Sequence, residues 1–355
     1  MLFHIKKSLV LASLALGVAT FSSQVLAEHK HSPVDKVEGS FSVMVLGSGG
    51  PQIQTSGRAS AGYLVFTNGK PYAIMDAGSG TFKSLALSGA HIGQVNTVLI
   101  SHMHIDHASE LPGIIKGIYF DGQLQGQRHT TPIDVFGPEG RSNPGFPVFP
   151  STSEYMDALF TKDTGTFNYL RRFVGGVDGG PQIIGQFGYT AHNLSADFST
   201  YNPQVIVDTL VDGSELTITD VAVDHFEAPA VAYRIDYKGH SIVYTGDIHS
   251  STDNIVELAR GADILIYDTS ILDTVPPPAS PFAKRHTTPQ RMGVVAAEAG
   301  VKTLVLSHLT PVSDPNIDSI IDEIRANGFT GKIKVAKDLK VYNTDDKNDK
   351  DDERD

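Results

Sequence analysis

Three histidines and an aspartate fall within one six-residue segment, which reads His102-Met103-His104-Ile105-Asp106-His107. Zinc binds imidazole nitrogen and carboxylate oxygen, and a catalytic zinc keeps one position open for water. His102 and His104 are two residues apart, so in extended backbone their side chains point the same way, and Asp106 and His107 can face a second centre. A surface loop rich in histidine is the alternative. It is disfavoured because three of the 14 histidines fall in this one window.

Other residues of the same chemical types follow short apolar runs elsewhere in the chain. They are Asp76 after 71–75, Asp247 after 241–246, Asp268 after 263–267 and His308 after 303–307. Short runs rich in β-branched residues are typical of strands buried on both faces. Because open α/β sheets bind ligands at the carboxyl ends of their strands, we expect these side chains to converge on one cleft. His225, which follows the strand-like segment 216–223, is a further candidate.

The elements that must position these residues are short strands separated by helices. The patterns predict strands at 41–46, 63–66, 72–75, 98–101, 216–223, 232–237, 241–244 and 303–307, and helices at 108–119, 153–159, 253–260 and 288–299. Segment 138–205 is the least regular part of the chain, and we expect an irregular insertion beside the cleft. Together, these predicted strands and helices indicate an α/β fold with two strand-rich halves, 40–137 and 206–340.

The two ends of the chain differ in composition from the rest. Residues 1–27 contain Lys6 and Lys7, an apolar stretch over 8–21 and the sequence Val25-Leu26-Ala27, which is typical of a secretory signal cleaved after Ala27. An uncleaved anchor is the alternative, but the apolar stretch is short for a membrane span. We therefore expect a periplasmic or secreted protein that has no membrane contact after cleavage. Residues 344–355 are predicted to be an acidic, disordered tail.

Composition restricts both the site and its partners. The chain has no cysteine, so disulfides and thiolate zinc sites are excluded, and any zinc must be held by histidine and carboxylate. The net charge of -12 disfavours broad contact with nucleic acid, because such binding depends on lysine and arginine that neutralise phosphates. We expect a small anionic ester as substrate and no nucleic acid as partner. A homodimer stays open.

The order of these motifs resembles the metallo-β-lactamase superfamily, and most of all its ribonuclease Z-like branch, which includes metallo-type arylsulfatases and phosphodiesterases. The resemblance covers about 41–312, with 138–205 poorly matched, and it implies a four-layer αββα sandwich for the domain 28–343. The matching motifs are Leu46-Gly47-Ser48-Gly49, Met75-Asp76-Ala77-Gly78, the segment 102–107, Phe136-Gly137-Pro138, Thr245-Gly246-Asp247, His286-Thr287-Thr288 and Leu306-Ser307-His308.

The resemblance also implies two zinc ions per chain and a role for each matching residue. The first ion would be held by His102, His104 and His225, the second by Asp106, His107 and His308, and Asp247 would bridge them. Asp106, Asp268 and His286 are the expected catalytic residues, with Asp268 and His286 beside the leaving group. The family often has Glu at the position of Asp268.

Zinc is redox-silent, so hydrolysis by metal-activated water is the expected reaction. The predicted function is an exported binuclear zinc hydrolase that cleaves sulfate esters, as an arylsulfatase does, or small phosphodiesters. The alternatives are a zinc lactonase or β-lactamase-type enzyme acting on a carbonyl, and a ribonuclease Z-like nuclease. The predicted signal and the absence of a basic, Gly/Pro-rich arm argue against tRNA as substrate.

Overall fold

The computed structural model describes residues 32–142, 147–175, 187–273 and 281–345. The predicted signal, 1–27, and most of the predicted acidic tail lie outside these ranges and stay predictions. Within the described ranges, no helix combines the length and the apolar character needed to cross a bilayer.

Two seven-stranded sheets form the centre of the molecule. In chain order the strands are β1 (Phe41–Gly47), β2 (Gly62–Thr67), β3 (Lys70–Ala77), β4 (Thr97–Leu99), β5 (Ile133–Pro138), β6 (Tyr189–Leu194), β7 (Gln204–Val211), β8 (Ser214–His225), β9 (Ala228–Tyr237), β10 (His240–Tyr244), β11 (Ile264–Asp268), β12 (Thr303–Ser307), β13 (Lys332–Val335) and β14 (Val341–Asn343). The first sheet has the order β14-β1-β2-β3-β4-β5-β6, and the second has the order β13-β12-β11-β10-β9-β8-β7.

Helices cover the outer face of each sheet. They are α1 (Thr81–Ser88), α2 (Ile105–Ala108), α3 (Leu111–Leu124), α4 (Thr152–Phe160), α5 (Tyr169–Gly175), α6 (Asn254–Leu258), α7 (Pro289–Ala299) and α8 (Ile317–Ala326). Residues of α1 to α5 pack with the first sheet, and residues of α6 to α8 pack with the second. A third apolar core lies between the sheets. The predicted αββα sandwich is confirmed.

The alternation of side chains along each strand explains the three cores. In β1, Val43 and Val45 belong to the core between the sheets, whereas Met44 and Leu46 face the helices. Successive side chains of a strand point to opposite faces, so a strand covered on both sides must be apolar throughout. Full burial of one such side chain stabilises the folded state by roughly 1.5–3 kcal/mol. This is why continuous apolar runs in the sequence identify the strands.

Parallel pairing brings the carboxyl ends of several strands together. β10 pairs in parallel with β11, and β11 with β12, so the residues that follow them emerge at one edge of the second sheet. β3 pairs in parallel with β4 in the first sheet, and the segment 102–107 follows β4. The histidines and aspartates that follow these strands therefore lie at one edge of the sandwich.

Two segments differ from the sequence prediction. The helix predicted over 108–119 is two helices, because α2 ends at Ala108 and α3 begins at Leu111 with Pro112 in its first turn, where proline is tolerated. Segment 138–205, expected to be irregular, contains α4, α5 and β6. β6 pairs in parallel with β5, so this part of the segment belongs to the first sheet.

Candidate metal centre

Four side chains form the first group of candidate ligands. His102 and His104 lie in the loop after β4, His225 ends β8, and Asp247 follows β10. The Nε2 atoms of His102 and His225 lie 3.8 and 3.7 Å from Asp247 Oδ2. His104 Nδ1 lies 2.9 Å from His102 Nε2 and 3.3 Å from His225 Nε2. His102, His225 and Asp247 are buried, and His104 is half-buried.

The second group uses the other oxygen of the same aspartate. Asp247 Oδ1 lies 3.3 Å from His107 Nε2 and 3.2 Å from His308 Nε2. Asp106 Oδ2 lies 3.5 Å from His107 Nε2 and 3.1 Å from His308 Nε2. Asp106 and His107 are on α2, and His308 follows β12. All four side chains are buried.

The donor set fits two zinc ions. Four ligands at zinc-to-nitrogen distances of 2.0–2.1 Å in a tetrahedron lie roughly 3.3 Å from one another, which is close to the spacings in both groups. Asp247 Oδ1 is buried and has no hydrogen-bond partner among the described residues. A buried carboxylate oxygen without a partner is costly unless a cation satisfies it. The two oxygens of Asp247 face different groups, as a bridging ligand requires.

Asp268 and His286 form a third group with Asp247 and His308. Asp268 ends β11, and its Oδ2 accepts a hydrogen bond from His286 Nδ1 at 2.6 Å. The His286 ring lies 5.5 Å from the ring of His225 and 5.8 Å from that of His308. His286 therefore stands beside ligands of both groups, and Asp268 fixes the orientation of its ring. The roles assigned to these residues from the sequence stay predictions.

Side chains and backbone outside the three groups hold the ligand rings in place. Asp76 Oδ2 accepts from His107 Nδ1 at 2.7 Å, and His225 Nδ1 donates to the carbonyl of Arg285 at 2.9 Å. Ser270 Oγ lies 2.7 Å from His308 Nδ1. Metal-binding histidines usually donate their second N–H in this way, which fixes the tautomer and the ring orientation. Sequence reasoning identified Asp76 only as the residue after a strand and missed its contact with His107.

The backbone at this edge adopts conformations that are rare for residues other than glycine. Asp76 has a φ of 55° and His308 a φ of 57°. Such left-handed conformations cost free energy and persist where the surroundings over-determine them, often at functional sites. Gly78 is needed because a Cβ there would stand 2.0 Å from the carbonyl oxygen of Asp106. The glycine lets β3 approach α2 closely.

Burial and charge set the protonation states of the groups. Burial lowers the pKa of His102 well below its usual range and lowers the pKa of His225 to about 4. Both are therefore neutral at pH 7, as metal ligation requires. Burial alone would raise the pKa of Asp247, but His308 and His107 hold it well below its usual range. The carboxylate stays ionised and able to bind cations.

Aromatic and cationic side chains lie beside the ligand groups, and we call Phe149, Phe226, Phe282, Lys284 and Arg285 the cleft rim. The Phe149 ring lies 6.0 Å from the ring of His104, and Phe282 stacks on His286 at 5.4 Å. Lys284 Nζ lies 5.0 Å, and the Arg285 guanidinium carbon 5.5 Å, from the centre of the Phe226 ring. Arg285 is also paired with Glu227. None of the five rim residues was a sequence candidate.

Comparison with known proteins gives two family matches. Residues 56–120 match the metallo-beta-lactamase superfamily, and residues 183–309 match the beta-lactamase superfamily domain. The chain is 27% identical to ribonuclease Z of Mycobacterium avium over 308 residues, which is 84% of this chain and 96% of that protein. It is 25% identical to ribonuclease Z of Methanosarcina mazei over 323 residues, with the same two coverages.

Solved structures agree with the fold. Human tRNase Z, short form, matches with a TM-score of 0.58 and 21% identity, covering 85% of this chain and 99% of that one. The metallo-beta-lactamase fold protein YhfI from Bacillus subtilis matches with a TM-score of 0.56 and 22% identity, covering 86% and 99%. At these identities the likeness establishes the fold alone.

The comparisons overturn one expectation. We predicted no nucleic acid as partner, and that prediction is wrong, because relatives similar over 84% of the chain are enzymes named for their action on RNA. The net charge of -12 misled the prediction because it sums the whole chain. It does not report the local charge at the cleft rim, where Lys284 and Arg285 stand. The local arrangement of charge is what a phosphate backbone meets.

Proposed function

Because this chain belongs to the metallo-β-lactamase superfamily, in its ribonuclease Z-like branch, we propose that it is a metal-dependent phosphodiesterase that hydrolyses RNA. The observation that carries the proposal is the pair of ligand groups joined by Asp247, with the hydrogen-bonded pair of Asp268 and His286 beside both. We further propose that the seven side chains named as ligands from the sequence hold two zinc ions. When bound, two zinc ions supply a nucleophile from water at neutral pH and neutralise charge on the phosphate oxygens.

The protein's own groups perform the remaining steps. His102 and His225 would hold their ion in a fixed position, because their rings are buried and contact Ser101 Oγ and the Arg285 carbonyl. Asp268 holds Nδ1 of His286, which leaves Nε2 as the atom that donates a proton to the departing 3′ or 5′ oxygen. A positioned general acid of this kind contributes roughly 10²- to 10⁴-fold to the rate. Asp268 acts by orienting the ring and stabilising its positive charge.

The cleft rim favours RNA over a compact ester as the substrate. Aromatic rings next to a catalytic centre can stack on nucleobases, at roughly 1–3 kcal/mol per base, and cationic side chains can pair with backbone phosphates. Phe149 and Phe282 stand beside His104 and His286, and Lys284 extends the rim as an exposed cation. A nucleotide on either side of the scissile phosphate would meet both kinds of group.

Sulfate esters were the substrates that we expected first, and the relatives favour the nuclease alternative. Both activities use the same metals, so the site alone does not separate them. The deciding test compares kcat/KM of zinc-loaded protein on an RNA oligonucleotide, precursor tRNA, bis-nitrophenyl phosphate, nitrophenyl sulfate and a lactone. We expect the RNA and phosphodiester substrates to lead by more than roughly tenfold, a margin that differential transition-state binding readily supplies. A lead by the sulfate or the lactone would refute the proposal.

Two controls make this test specific. Asp247→Ala protein, purified in the same way, measures contaminating nuclease, since the proposal requires it to be inactive. We also propose that residues 1–27 are a cleaved export signal, which sequencing of the mature N-terminus tests directly. Export and RNA hydrolysis are independent of each other, so a chain that retains Met1 would leave the phosphodiesterase proposal intact.

A further inference from the structure

Ser270 lies two residues after Asp268, in the loop that follows β11, and it is 2% exposed. Its hydroxyl oxygen lies 2.5 Å from Asp268 Oδ1 and 2.7 Å from His308 Nδ1. We propose that Ser270 is a positioning residue, whose one hydroxyl group fixes both the candidate ligand His308 and the pair of Asp268 and His286. The expected effect on catalysis rests on the proposed function, whereas the geometry of the contacts does not.

The hydrogen bonds of Ser270 have a definite direction. His308 Nε2 lies 3.1 Å from Asp106 Oδ2 and 3.2 Å from Asp247 Oδ1, so Nε2 is the atom that faces the second group of ligands. A metal on Nε2 leaves the proton of the neutral ring on Nδ1. Nδ1–H then donates to the Ser270 oxygen, and the Ser270 hydroxyl is left with one proton to donate.

Asp268 is the acceptor for that proton. Its Oδ1 is 2.5 Å from the hydroxyl oxygen, in the range for a bond from a hydroxyl to a carboxylate, whereas the carbonyl oxygen of His308 is 3.2 Å away. The direct distance from His308 Nδ1 to Asp268 Oδ1 is 3.4 Å, longer than a good hydrogen bond, so the hydroxyl is the shorter connection. Asp268 Oδ2 accepts from His286 Nδ1 at 2.6 Å. One chain of hydrogen bonds therefore joins His308 to His286.

The contact with Ser270 also decides how firmly Asp268 is held. The terminal torsion of an aspartate is broad, so a carboxylate with one strong contact can rotate. Besides His286, Asp268 Oδ2 meets the backbone N–H of Ile248 at 3.3 Å, which is a long contact. The 2.5 Å contact at Oδ1 fixes the second oxygen, and with it the plane of the carboxylate that orients the His286 ring.

A purely structural role for the hydroxyl, in holding the loop after His308, is the alternative. This loop has other anchors. Thr310 Oγ1 donates to the backbone carbonyl of Ser270 at 2.9 Å, and the backbone N–H of Leu309 donates to the carbonyl of Ser48 at 2.9 Å. Neither contact uses the Ser270 hydroxyl. Replacing Ser270 by Ala should therefore keep the loop in place and remove only the two side-chain contacts.

The first experiment needs neither activity nor zinc. In protein with isotope-labelled histidine, NMR measures how fast the Nδ1 proton of His286 exchanges with water, and His286→Ala identifies the signal. We expect Ser270→Ala to speed this exchange by roughly 10- to 100-fold, the effect of losing one hydrogen bond to a charged group, in metal-free and in zinc-loaded protein.

Ser313→Ala is the matched control. Ser313 is also buried, and its hydroxyl accepts from the backbone N–H of Thr310 in the same loop, so the same change is made without touching Asp268 or His308. We expect the parent exchange rate in this variant. Unchanged exchange in Ser270→Ala, or equal acceleration in Ser313→Ala, would overturn the proposal. Ser270→Gly removes the same hydroxyl and decides the question if Ser270→Ala does not fold.

The second experiment measures zinc affinity by competition with a chelator. Ser270→Ala should weaken the binding of one of the two ions by roughly 10- to 100-fold, because His308 loses the acceptor for its Nδ1 proton. Ser270→Thr keeps a hydroxyl and should restore most of the affinity, and Ser313→Ala should keep the parent value. Parent-like zinc affinity in Ser270→Ala would refute the role of Ser270 in holding His308.

The third measurement separates this proposal from the proposed function. In zinc-loaded protein, Ser270→Ala should lower kcat on an RNA oligonucleotide by roughly 10- to 100-fold and leave KM nearly unchanged, because the loss concerns the orientation of His286 and not the binding of substrate. A parent without RNA hydrolysis would refute the proposed function, and the exchange and affinity results would then decide on Ser270. In a parent that hydrolyses RNA, parent-like kcat in Ser270→Ala would show that the hydroxyl does not position His286.

Discussion

Asp76 Oδ2 lies 2.7 Å from Nδ1 of His107, and the same carboxylate accepts from the backbone N–H of Ser101, the Ser101 hydroxyl and the Tyr244 hydroxyl. Asp76 and His107 are fully buried. One carboxylate thus ties β3, the loop after β4 and β10 to the ring of a candidate ligand. The contact turns His107 Nε2 towards Asp247 and His308.

Replacing Asp76 by Asn should weaken metal binding without removing a ligand. The change replaces one of the two acceptor oxygens by an NH2 donor and removes the negative charge beside His107 Nδ1. Loss of such outer contacts typically costs about 10- to 100-fold in metal affinity. Competition with a zinc chelator measures the affinity. Asp134→Asn is the control, because Asp134 forms a similar pair with His192 at 2.9 Å away from the centre. Equal zinc affinity in the parent and in Asp76→Asn would show that Asp76 does not support metal binding.

Replacing Asp247 by Ala should abolish the binding of both ions rather than of one. Its Oδ2 faces the first group and its Oδ1 the second, so the substitution removes a ligand from each. We expect metal analysis of zinc-loaded protein to fall from about two ions per chain to well below one. Asp236→Ala, a partly exposed aspartate paired with Arg234, should keep the parent content. A variant that retains one full ion would show that Asp247 does not bridge.

Replacing His286 by Ala should lower kcat on a phosphodiester with a poor leaving group by roughly 10²–10⁴-fold, because the leaving oxygen loses its proton donor. The metal content should not change. With nitrophenolate as leaving group the loss should shrink, since this group needs little protonation. His192→Ala, at a half-exposed histidine outside the centre, serves as control. An unchanged kcat with the poor leaving group would limit His286 to a structural role.

Replacing Lys284 by Ala should raise KM for an RNA oligonucleotide and leave kcat/KM for bis-nitrophenyl phosphate unchanged, because the small ester has no second phosphate with which Lys284 could pair. The salt dependence of RNA binding should fall by about one unit in the slope of log K against log salt, as for one lost phosphate contact. Lys116→Ala removes a lysine that lies 5.3 Å from the Phe120 ring on α3 and is the matched control. Equal effects of the two variants would exclude a specific role for Lys284.

Asp220 should make the protein less stable as pH rises. Its side chain is 3% exposed, Oδ1 has no hydrogen-bond partner among the described residues, and burial raises its pKa from 3.8 to about 7. The folded state therefore binds a proton that the unfolded state releases, and stability falls between about pH 4 and pH 7. Asp220→Asn should raise the free energy of unfolding at pH 8 by about 1–3 kcal/mol and leave it little changed at pH 4.

Urea unfolding across this pH range measures the effect. Asp236→Asn, at a partly exposed site, should follow the pH dependence of the parent. The same slope in the parent and in Asp220→Asn would assign the pH dependence to other groups.

The ends of the strands and the side chains that follow them were enough to predict an α/β fold with candidate ligands in one cleft. The αββα sandwich and the set of seven ligands were predicted from the resemblance to the metallo-β-lactamase superfamily. Short apolar runs such as 263–267 favour a buried strand over a helix, because helices are usually longer. The contact between Asp76 and His107 could not be predicted in the same way. It spans 31 residues and depends on how closely β3 approaches α2 at Gly78.

The residues of the cleft rim could not be predicted from the sequence, for a different reason. Phe149, Phe226 and Phe282 lie in loops, strand turns and short 3-10 segments, where no periodicity marks which residues share a surface. A single aromatic residue in such a segment has no pattern to distinguish it. The expectation about nucleic acid failed for the same reason, because charge was summed along the chain while binding depends on its distribution in space.

The pairing of β14 with β1 has a consequence for biosynthesis. Ser42 Oγ donates to Asn343 Oδ1, 301 residues away, and Ser42–Met44 of β1 pair antiparallel with Val341–Asn343 of β14. During translation β1 emerges among the first strands, and its neighbour on one side emerges last. Until then one backbone edge of a wholly buried, apolar strand has no partner. Incomplete nascent chains should therefore aggregate through β1, and chaperone binding to 41–47 would protect them.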